Sequence, residues 1–157
     1  SAGDEGALVS VIQYLLRETL LGFGQGKLTD TPLHFARCVA AIADGGVYCS
    51  PDLTGKATAK PRRVMQAKNV KTLLAYMRTV VAEGTGSGAD YRGRSAGKTA
   101  TAQSGRYVQG REVLNTYFAG VYPFDNPRYA IVVMRENGTS GAADCCPVFR
   151  RIVSKLP

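Results

Sequence analysis

The first half of the chain has apolar residues at helical spacing in two separate stretches. Residues 7–21 place apolar side chains three and four positions apart, and the glycines within 22–26 interrupt the pattern, so a helix is predicted to end there. Thr31 and Pro32 are typical of a helix start, with Thr31 as N-cap, and the glycines at 45–46 are typical of a helix end. This second helix carries Leu33, Ala36, Ala40 and Ile42.

A loop separates the second helix from the clearest helical stripe of the sequence. Residues 47–49 are expected to be extended, and residues 51–63, rich in Pro, Gly, Lys and Thr, are expected to form a surface loop. The stripe comprises Val70, Leu73, Leu74, Met77, Val80 and Val81. A flexible glycine loop is predicted at 84–88. A last stripe of helical spacing comprises Phe149, Ile152, Val153 and Leu156.

In the second half of the chain the apolar pattern changes to a period of two, which is typical of strands. Three strands are predicted, at 94–104, 113–122 and 128–137, joined by a glycine-rich loop around Ser104 and by a turn at 123–127. Apolar residues on both faces of the last strand indicate a sheet that is covered on both sides. The expected fold is therefore α+β: a three-strand antiparallel meander with helices packed on both faces.

Composition and charge exclude several classes of protein. The 157 residues include 45% hydrophobic and 20% charged side chains, as expected for one folded domain. Lys and Arg outnumber Asp and Glu by 20 to 12, but the resulting net charge of +8 is scattered, so nucleic acid is not the expected partner. No uncharged apolar run reaches the length of a membrane helix, and the acidic start is unlike a signal peptide, so this chain is expected to be soluble.

The four cysteines and the single histidine do not form a metal-binding pattern. No Cys-x-x-Cys pair occurs and His34 has no neighbour at ligand spacing, so no metal site is predicted. Cys145 and Cys146 are adjacent, and adjacent cysteines seldom bond to each other because the disulfide strains the peptide between them. These two, together with Cys38 and Cys49, are expected to be small buried hydrophobic residues.

Residues 95–103, Ser-Ala-Gly-Lys-Thr-Ala-Thr-Ala-Gln, have three chemical interpretations. A phosphate-binding loop would need glycine at the position of Arg92, and a helix where the following residues continue extended. Ser95 and Lys98 fit the Ser-x-x-Lys pattern of an acyl-enzyme nucleophile. That pair works when the serine opens a helix, whereas residues three apart on a strand point to opposite faces. Neither of these two interpretations is favoured.

The third interpretation is the Lys-Thr-Gly strand of the serine transpeptidases, an accessible edge strand beside the nucleophile. Its lysine supplies positive charge, its hydroxyls bind a substrate carboxylate, and a backbone N–H completes the oxyanion hole. Lys98, Thr99 and Thr101 fit these roles. Strand alternation places Lys98 and Ala100 on one face and the two threonines on the other. The alternative is that these residues have no catalytic role, because an exposed strand of any sheet can contain Lys and Thr.

Further segments have the order of motifs found in one enzyme family. They are Phe23-Gly24-Gln25-Gly26, Thr31-Pro32-Leu33, Ala40 to Gly46, Val80 to Gly86, Gly97 to Gln103, Tyr117 to Pro123, Asn126 to Ala130, Glu136-Asn137-Gly138 and Pro147-Val148-Phe149. With them the chain resembles, over nearly its whole length, the C-terminal part of the transpeptidase domain of class B penicillin-binding proteins. The resemblance implies a partial penicillin-binding-protein transpeptidase fold.

The same resemblance implies a serine-type D,D-transpeptidase of peptidoglycan synthesis. In that family a serine attacks the D-Ala-D-Ala end of a stem peptide and passes the acyl group to an amine on a neighbouring strand, and β-lactams trap the serine. The implied catalytic groups are Lys98, for electrostatics and proton transfer, and the Thr101 N–H, as half of the oxyanion hole. The implied substrate-binding residues are Thr99, Ala100 and Thr101, whose hydroxyls would hold the carboxylate. No cofactor is implied.

Two features depart from the family pattern. Ala100 stands where the family has a glycine, which lets substrate backbone lie close to the strand, but a methyl group is the smallest intrusion and normal activity is expected. No Ser-x-Asn occurs and the one Ser-x-x-Lys begins at Ser95, so residues 1–157 are expected to be the C-terminal portion of the domain without its nucleophile. The isolated chain is therefore expected to be inactive, and uncovered apolar surface to favour self-association.

Two other functions remain open on the sequence. A non-catalytic scaffold or sensor descended from the family would tolerate Ala100 and the missing motifs. A basic nucleotide or nucleic-acid binder would account for the net charge and the incomplete phosphate loop. By resemblance, the parent protein would be anchored in the bacterial cytoplasmic membrane with this domain on its extracytoplasmic face, where it would bind stem peptides and β-lactams.

Overall fold

The structure, a computed structural model, describes residues 32–50 and 60–157. Its elements are α1 (Pro32–Ala43), β1 (Val47–Tyr48), β2 (Arg62–Arg63), α2 (Ala67–Glu83), a 3-10 turn (Ser87–Ala89), β3 (Ala96–Val108), β4 (Arg111–Tyr122), β5 (Tyr129–Arg135), α3 (Gly141–Asp144) and α4 (Cys146–Val153). The predicted α+β class with an antiparallel meander is confirmed. The helix predicted at 7–21, the break at 22–26 and Thr31 lie outside the described residues.

Helix α1 has the predicted ends but a different buried face. It begins at Pro32 and is followed by Gly45 and Gly46, whose φ angles of 64° and 92° favour glycine. Leu33 is 50% exposed, and Ala40 also faces solvent. The buried residues are Cys38, Val39, Ala41 and Ile42. Of the four apolar residues named from the sequence, Ile42 is buried and Ala36 is partly buried, so the prediction is wrong for Leu33 and Ala40. An alanine-rich helix offers several apolar stripes, and contact with β4 and β5 decides which one is covered.

Helix α2 has the predicted buried stripe. Its buried residues are Val70, Leu73, Met77, Val80 and Val81, and Leu74 packs partly buried against the same cluster. This spacing lines one face of a helix, which here lies against β3. At 17 residues α2 is the longest helix of the described part, where no helix combines the length and apolar character needed to cross a membrane.

The main sheet has the order β3–β4–β5 and is antiparallel throughout. The predicted link between its first two strands is wrong, because the chain reverses at Gln109 and Gly110 rather than at Ser104–Gly105. The φ angles of the two turn residues, 51° and 75°, suit a two-residue hairpin whose twist matches that of its strands. The predicted loop instead lies in an irregularity of the β3–β4 pairing, and β3 continues to Val108.

A second, two-stranded sheet corrects the predicted surface loop at 51–63. Its last residues, Arg62 and Arg63, form β2 and pair antiparallel with β1. The Arg63 guanidinium donates hydrogen bonds to the carbonyl oxygens of Gly45 and Met65 at 3.0 and 3.1 Å. Arg63, which the sequence predicts to lie in a loop, therefore binds a backbone carbonyl group just beyond the end of α1. Residues 51–59 lie outside the described part.

Helices cover both faces of the main sheet, as predicted. On one face α1 and α2 pack against Ala96, Ala119 and Val121. On the other face Phe118 packs against Phe149 of α4, with ring centroids 4.7 Å apart and an edge-to-face arrangement. The sheet therefore separates two hydrophobic clusters, with β4 contributing to both.

The last helical stripe is confirmed in part. Phe149 and Val153 are buried, and Leu156 packs against the same cluster just beyond the end of α4. Ile152 is 38% exposed, because it lies on the side of the helix away from the sheet. Of the three apolar residues of the stripe that lie in α4, two are therefore buried and one lies at the surface.

Three of the four cysteines are buried, as predicted, and Cys49 is exposed, so the prediction is wrong for that residue. Cys49 follows β1, which belongs to a sheet of only two strands. Burial raises the pKa of the Cys38 thiol to about 11 and that of Cys146 to about 12. Both thiols are therefore protonated at neutral pH and act as small apolar side chains.

Glycine is required at position 97, where β3 meets the Phe118 ring. An added β-carbon would lie 2.4 Å from a ring atom of Phe118 and 2.7 Å from the Ala119 carbonyl oxygen. We expect Gly97→Ala to lower the free energy of unfolding by about 3 kcal/mol, at the upper end for overpacking because backbone is in the way. The measurement is urea denaturation.

Gly45→Ala is the control for this substitution, because nothing lies within 4 Å of the added carbon. It should cost only the left-handed backbone penalty, about 1 kcal/mol. A loss at position 97 no larger than the loss at position 45 would contradict the steric explanation.

Candidate active site

The segment singled out in the sequence lies on β3, an edge strand of the main sheet. Residues 97–101 pair with residues 116–120 of β4 in an unbroken register. The other side of β3 has no strand beside it within the residues that the structure describes. Lys98, Thr99 and Thr101 therefore lie on an edge strand, which is the position that the transpeptidase interpretation requires.

Backbone groups of β3 point alternately toward β4 and toward the open edge, as in any antiparallel pair of strands. The carbonyl oxygen of Arg94 accepts an N–H from the β4–β5 turn at 2.9 Å, on the β4 side. The carbonyl oxygen of Ser95 points the other way and accepts from Arg78 at 2.7 Å. The pairing then stays regular through residues 96–103. The residues whose N–H and C=O groups lie along the open edge are Gly97, Thr99 and Thr101.

The side chains of the segment divide between the two faces of the sheet, as strand alternation predicts. Lys98 is paired with Ala119, which packs in the cluster of α1 and α2. Thr99 is paired with Phe118, which packs against α4. Lys98 is half-buried and makes no hydrogen bond or ion pair with the described residues. Its ammonium group is therefore not committed to a structural partner within that part of the chain.

The alanine at position 100 is accommodated without backbone strain. In the described ranges the non-glycine residues with positive φ are Arg92, Gln109 and Asn137, and Ala100 is not one of them. Alternation directs its methyl group to the same face as Lys98 and its backbone groups toward β4. The backbone conformation at this position therefore does not require glycine.

Thr85, a residue to which the sequence gave no role, contacts the segment. Its hydroxyl oxygen lies 2.9 Å from that of Thr99, although the two residues are 14 positions apart. Thr85 lies in the turn after α2, where the N–H groups of Gly84 and Gly86 both donate to the Val80 carbonyl oxygen at 3.1 Å. The motif Gly-Thr-Gly was visible in the sequence, but its meeting with β3 depends on how α2 packs on the sheet.

A partly buried ion-pair network fixes the beginning of β3. The Arg78 guanidinium donates to both carboxylate oxygens of Asp90 at 2.8 and 3.2 Å, and also to the Ser95 carbonyl oxygen. The Ser95 N–H donates to the same carboxylate at 3.3 Å. Arg78 belongs to α2 and Asp90 follows the 3-10 turn. These bonds therefore join α2, the segment after the 3-10 turn and Ser95, which directly precedes β3 and lies three residues before Lys98.

The first two interpretations of the segment do not fit the structure. Ser95 is 0% exposed, and its hydroxyl oxygen accepts the Tyr91 N–H at 3.1 Å, so it is not available as a nucleophile. Gly97, Lys98 and Thr99 lie within β3 rather than at the start of a helix, so they do not form a phosphate-binding loop.

A second network holds α3 against the sheet. The Asp144 carboxylate accepts hydrogen bonds from the Thr139 and Ser140 N–H groups at 2.6 and 3.0 Å, and from the Thr116 hydroxyl and the Arg135 guanidinium at 3.1 Å. These contacts, the Thr139 N–H above all, hold the pKa of the Asp144 carboxyl below its usual value of 3.8, although burial opposes them. Because Thr116 is paired with Thr101, this network supports the sheet beside the middle of the same edge strand.

Solved transpeptidase domains share the fold. The FtsI4 transpeptidase domain from Legionella pneumophila matches with a TM-score of 0.58 and 26% identity, covering 77% of this chain and 44% of that one. The transpeptidase domain of penicillin-binding protein 3 from Burkholderia pseudomallei matches with a TM-score of 0.62 and 24% identity, covering 78% of this chain and 40% of that one. The second likeness shows the fold alone.

Sequence comparison gives the family. Residues 3–154 match the penicillin binding protein transpeptidase domain. PbpB of Mycobacterium tuberculosis is 33% identical over 185 residues, covering 98% of this chain and 27% of its own length. The peptidoglycan D,D-transpeptidase FtsI of Escherichia coli K12 is 33% identical over 149 residues, covering 88% of this chain and 25% of its own length. The chain therefore belongs to the penicillin-binding protein transpeptidase family and spans about a quarter of the length of these relatives.

The Arg78 network gives a prediction about stability. We expect Arg78→Met to lower the free energy of unfolding by about 2–3 kcal/mol, because charge-assisted hydrogen bonds to Asp90 and to the Ser95 carbonyl are lost in a partly buried site. Arg94→Met is the matched control, since Arg94 pairs with Asp125 in two exposed side chains, 46% and 52% accessible. It should cost about 1 kcal/mol or less. Urea denaturation of both variants makes the comparison, and equal losses would contradict it.

The Asp144 network gives a prediction about pH. A carboxyl whose pKa is lowered on folding stabilises the fold above its unfolded pKa and loses that contribution as pH falls through and below it. The free energy of unfolding should therefore drop as pH falls below about 3.8, the usual carboxyl value. Asp144→Asn should be less stable at pH 6, and its difference from the unaltered chain should shrink toward pH 2. Parallel pH profiles in urea denaturation would show that the network is not responsible.

Proposed function

We propose that these residues form the substrate-side edge of the active site of a peptidoglycan D,D-transpeptidase. The observation that carries the proposal is the free edge of β3, where the N–H groups of Thr99 and Thr101 point away from β4. Beside them is Lys98, which makes no hydrogen bond or ion pair within the described residues. Membership of the penicillin-binding protein transpeptidase family supports it. The substrate is a stem peptide ending in D-Ala-D-Ala, and a β-lactam takes its place as an inhibitor.

The proposed reaction is acyl transfer through a serine ester. A serine hydroxyl attacks the carbonyl carbon of the penultimate D-Ala, the peptide bond breaks, and the last D-Ala leaves with the proton that the serine gave up. An amine of a second stem peptide then displaces the serine, which recovers a proton. Lys98 supplies positive charge beside the serine and assists these proton transfers.

The open edge of β3 supplies the binding groups. The Thr101 N–H donates to the oxygen that becomes negative in the tetrahedral intermediate, which is how oxyanion holes act. The hydroxyls of Thr99 and Thr101 hold the terminal carboxylate of the peptide, or that of a β-lactam. Ala100 lies between them with a methyl group directed to the Lys98 face, so the proposed activity does not depend on the glycine that the family has there.

The nucleophilic serine is proposed to come from a part of the domain outside residues 1–157, because Ser95 is buried and begins the one Ser-x-x-Lys of this sequence. Residues 1–157 act as the C-terminal portion of the transpeptidase domain, and this portion alone is inactive. The whole protein is anchored in the cytoplasmic membrane with the domain on its extracytoplasmic face. When the portion is isolated, apolar surface that other parts of the domain normally cover favours self-association.

Covalent labelling with a fluorescent penicillin, read by intact mass, tests the function. We expect an adduct on the full-length protein and none on residues 1–157 alone. Lys98→Ala should slow acylation of the full-length protein by about 100-fold or more, the usual contribution of a positioned proton-transfer group. Lys71→Ala removes the same charge from an exposed position of α2 and should leave the rate unchanged.

Three outcomes would contradict parts of this proposal. An adduct on the isolated chain would show that a nucleophile lies within it. Equal losses in the Lys98 and Lys71 variants would remove the special role of Lys98. No adduct on the full-length protein would favour the alternative of a non-catalytic scaffold or sensor.

A further inference from the structure

The hydroxyl of Thr85 lies beside the proposed carboxylate-binding groups but belongs to a different element. It is 2.9 Å from the Thr99 hydroxyl. Thr85 is exposed and Thr99 is half-buried, so the pair lies at the surface and not in the core. A ligand lying along the open edge of β3 could therefore reach these two hydroxyls.

The turn that carries Thr85 is fixed in place by its two glycines. Both N–H groups bond to the Val80 carbonyl oxygen at the end of α2. A β-carbon on Gly84 would lie 2.9 Å from that same oxygen, and one on Gly86 would lie 3.3 Å from the Phe118 ring. The turn therefore packs against both the helix and the sheet, and these contacts place Thr85 beside Thr99.

The hydrogen-bonding capacity of the two hydroxyls decides which of them donates when a ligand is bound. Each hydroxyl has one proton to donate and can also accept. If Thr99 is to donate its proton to a carboxylate, the Thr99 oxygen must accept from Thr85. The resulting chain runs from the Thr85 hydroxyl to the Thr99 hydroxyl to the carboxylate, and each bond polarises the next.

We propose that Thr85 is a positioning residue for substrate carboxylate recognition, donating to the Thr99 hydroxyl and so aiming the Thr99 proton at the ligand. This inference rests on the proposed transpeptidase function and adds a residue to it. Without Thr85 the Thr99 hydroxyl rotates among its staggered positions, and part of its orientation toward the carboxylate is lost. The loss affects ligands that carry a carboxylate and spares those that do not.

Two substitutions at Thr85 in the full-length protein test the inference. Thr85→Val keeps the shape of the side chain and removes the hydroxyl, whereas Thr85→Ser keeps the hydroxyl. The rate of acylation is measured with penicillin G, which carries the carboxylate, and with its methyl ester, which does not. We expect Thr85→Val to slow acylation by penicillin G by about fivefold, the factor for one ordinary net hydrogen bond. The rate with the ester should stay unchanged, and Thr85→Ser should retain the original rate.

Thr79→Val is the matched control. Thr79 is an exposed threonine of α2 whose hydroxyl bonds only to a backbone carbonyl of its own helix, that of Ala75, at 3.2 Å. Its substitution should change neither rate. Thermal melting of each variant checks that the fold is intact, and exposed Thr85 should tolerate both changes.

The inference is overturned if Thr85→Val acylates like the unaltered protein, if it slows both ligands equally, or if Thr85→Ser is as slow as the valine variant. Each of these results leaves the proposed function standing, because the unaltered protein is still acylated. Absence of acylation in the unaltered protein is a different outcome, which overturns the proposed function and this inference together.

Discussion

The ring of Phe118 fills the space that two facing glycines leave open, and the arrangement of the site depends on this contact. Gly97 of β3 is paired with Gly120 of β4, and a β-carbon on either would lie within 2.8 Å of a Phe118 ring atom. The other side of the ring meets Phe149 and the turn at Gly86. One aromatic side chain therefore joins the edge strand, the central strand, α4 and the turn that carries Thr85.

Polar networks support the edge strand at its start and beside its middle. Arg78 and Asp90 hold its start to α2, and the Asp144 network holds the neighbouring strand at Thr116, which is paired with Thr101. Neither network uses Lys98 or the threonines of the segment. The backbone of β3 is thus held by side chains other than those of the proposed site, and Lys98 makes no hydrogen bond or ion pair within the described residues that would compete with a ligand. A ligand that binds along a strand edge requires a rigid strand with polar groups that can bond to the ligand.

Elements with one strong local signal were predicted well. The buried stripe of α2, the glycines that end α1 and the β4–β5 turn are each set by residues close together in the sequence. The errors share a different cause. The alanine-rich α1 has several possible apolar faces, and the Gly105 region and the Gln109–Gly110 pair are both acceptable places for a hairpin turn. Packing on the sheet and the pairing of β3 with β4 selected among these local alternatives.

The sequence by itself determined the family, the order of elements and the alternation that separates Lys98 from Thr99, because motifs and periodicity are local properties of a chain. Residues 97–103 also mark β3 as the strand of the candidate site. The tertiary structure alone decided that Ser95 is buried, that the Thr101 N–H lies on an open edge and that Thr85 meets Thr99. Each of these facts depends on which surfaces of distant segments come into contact, and that is decided by the packing of the whole domain.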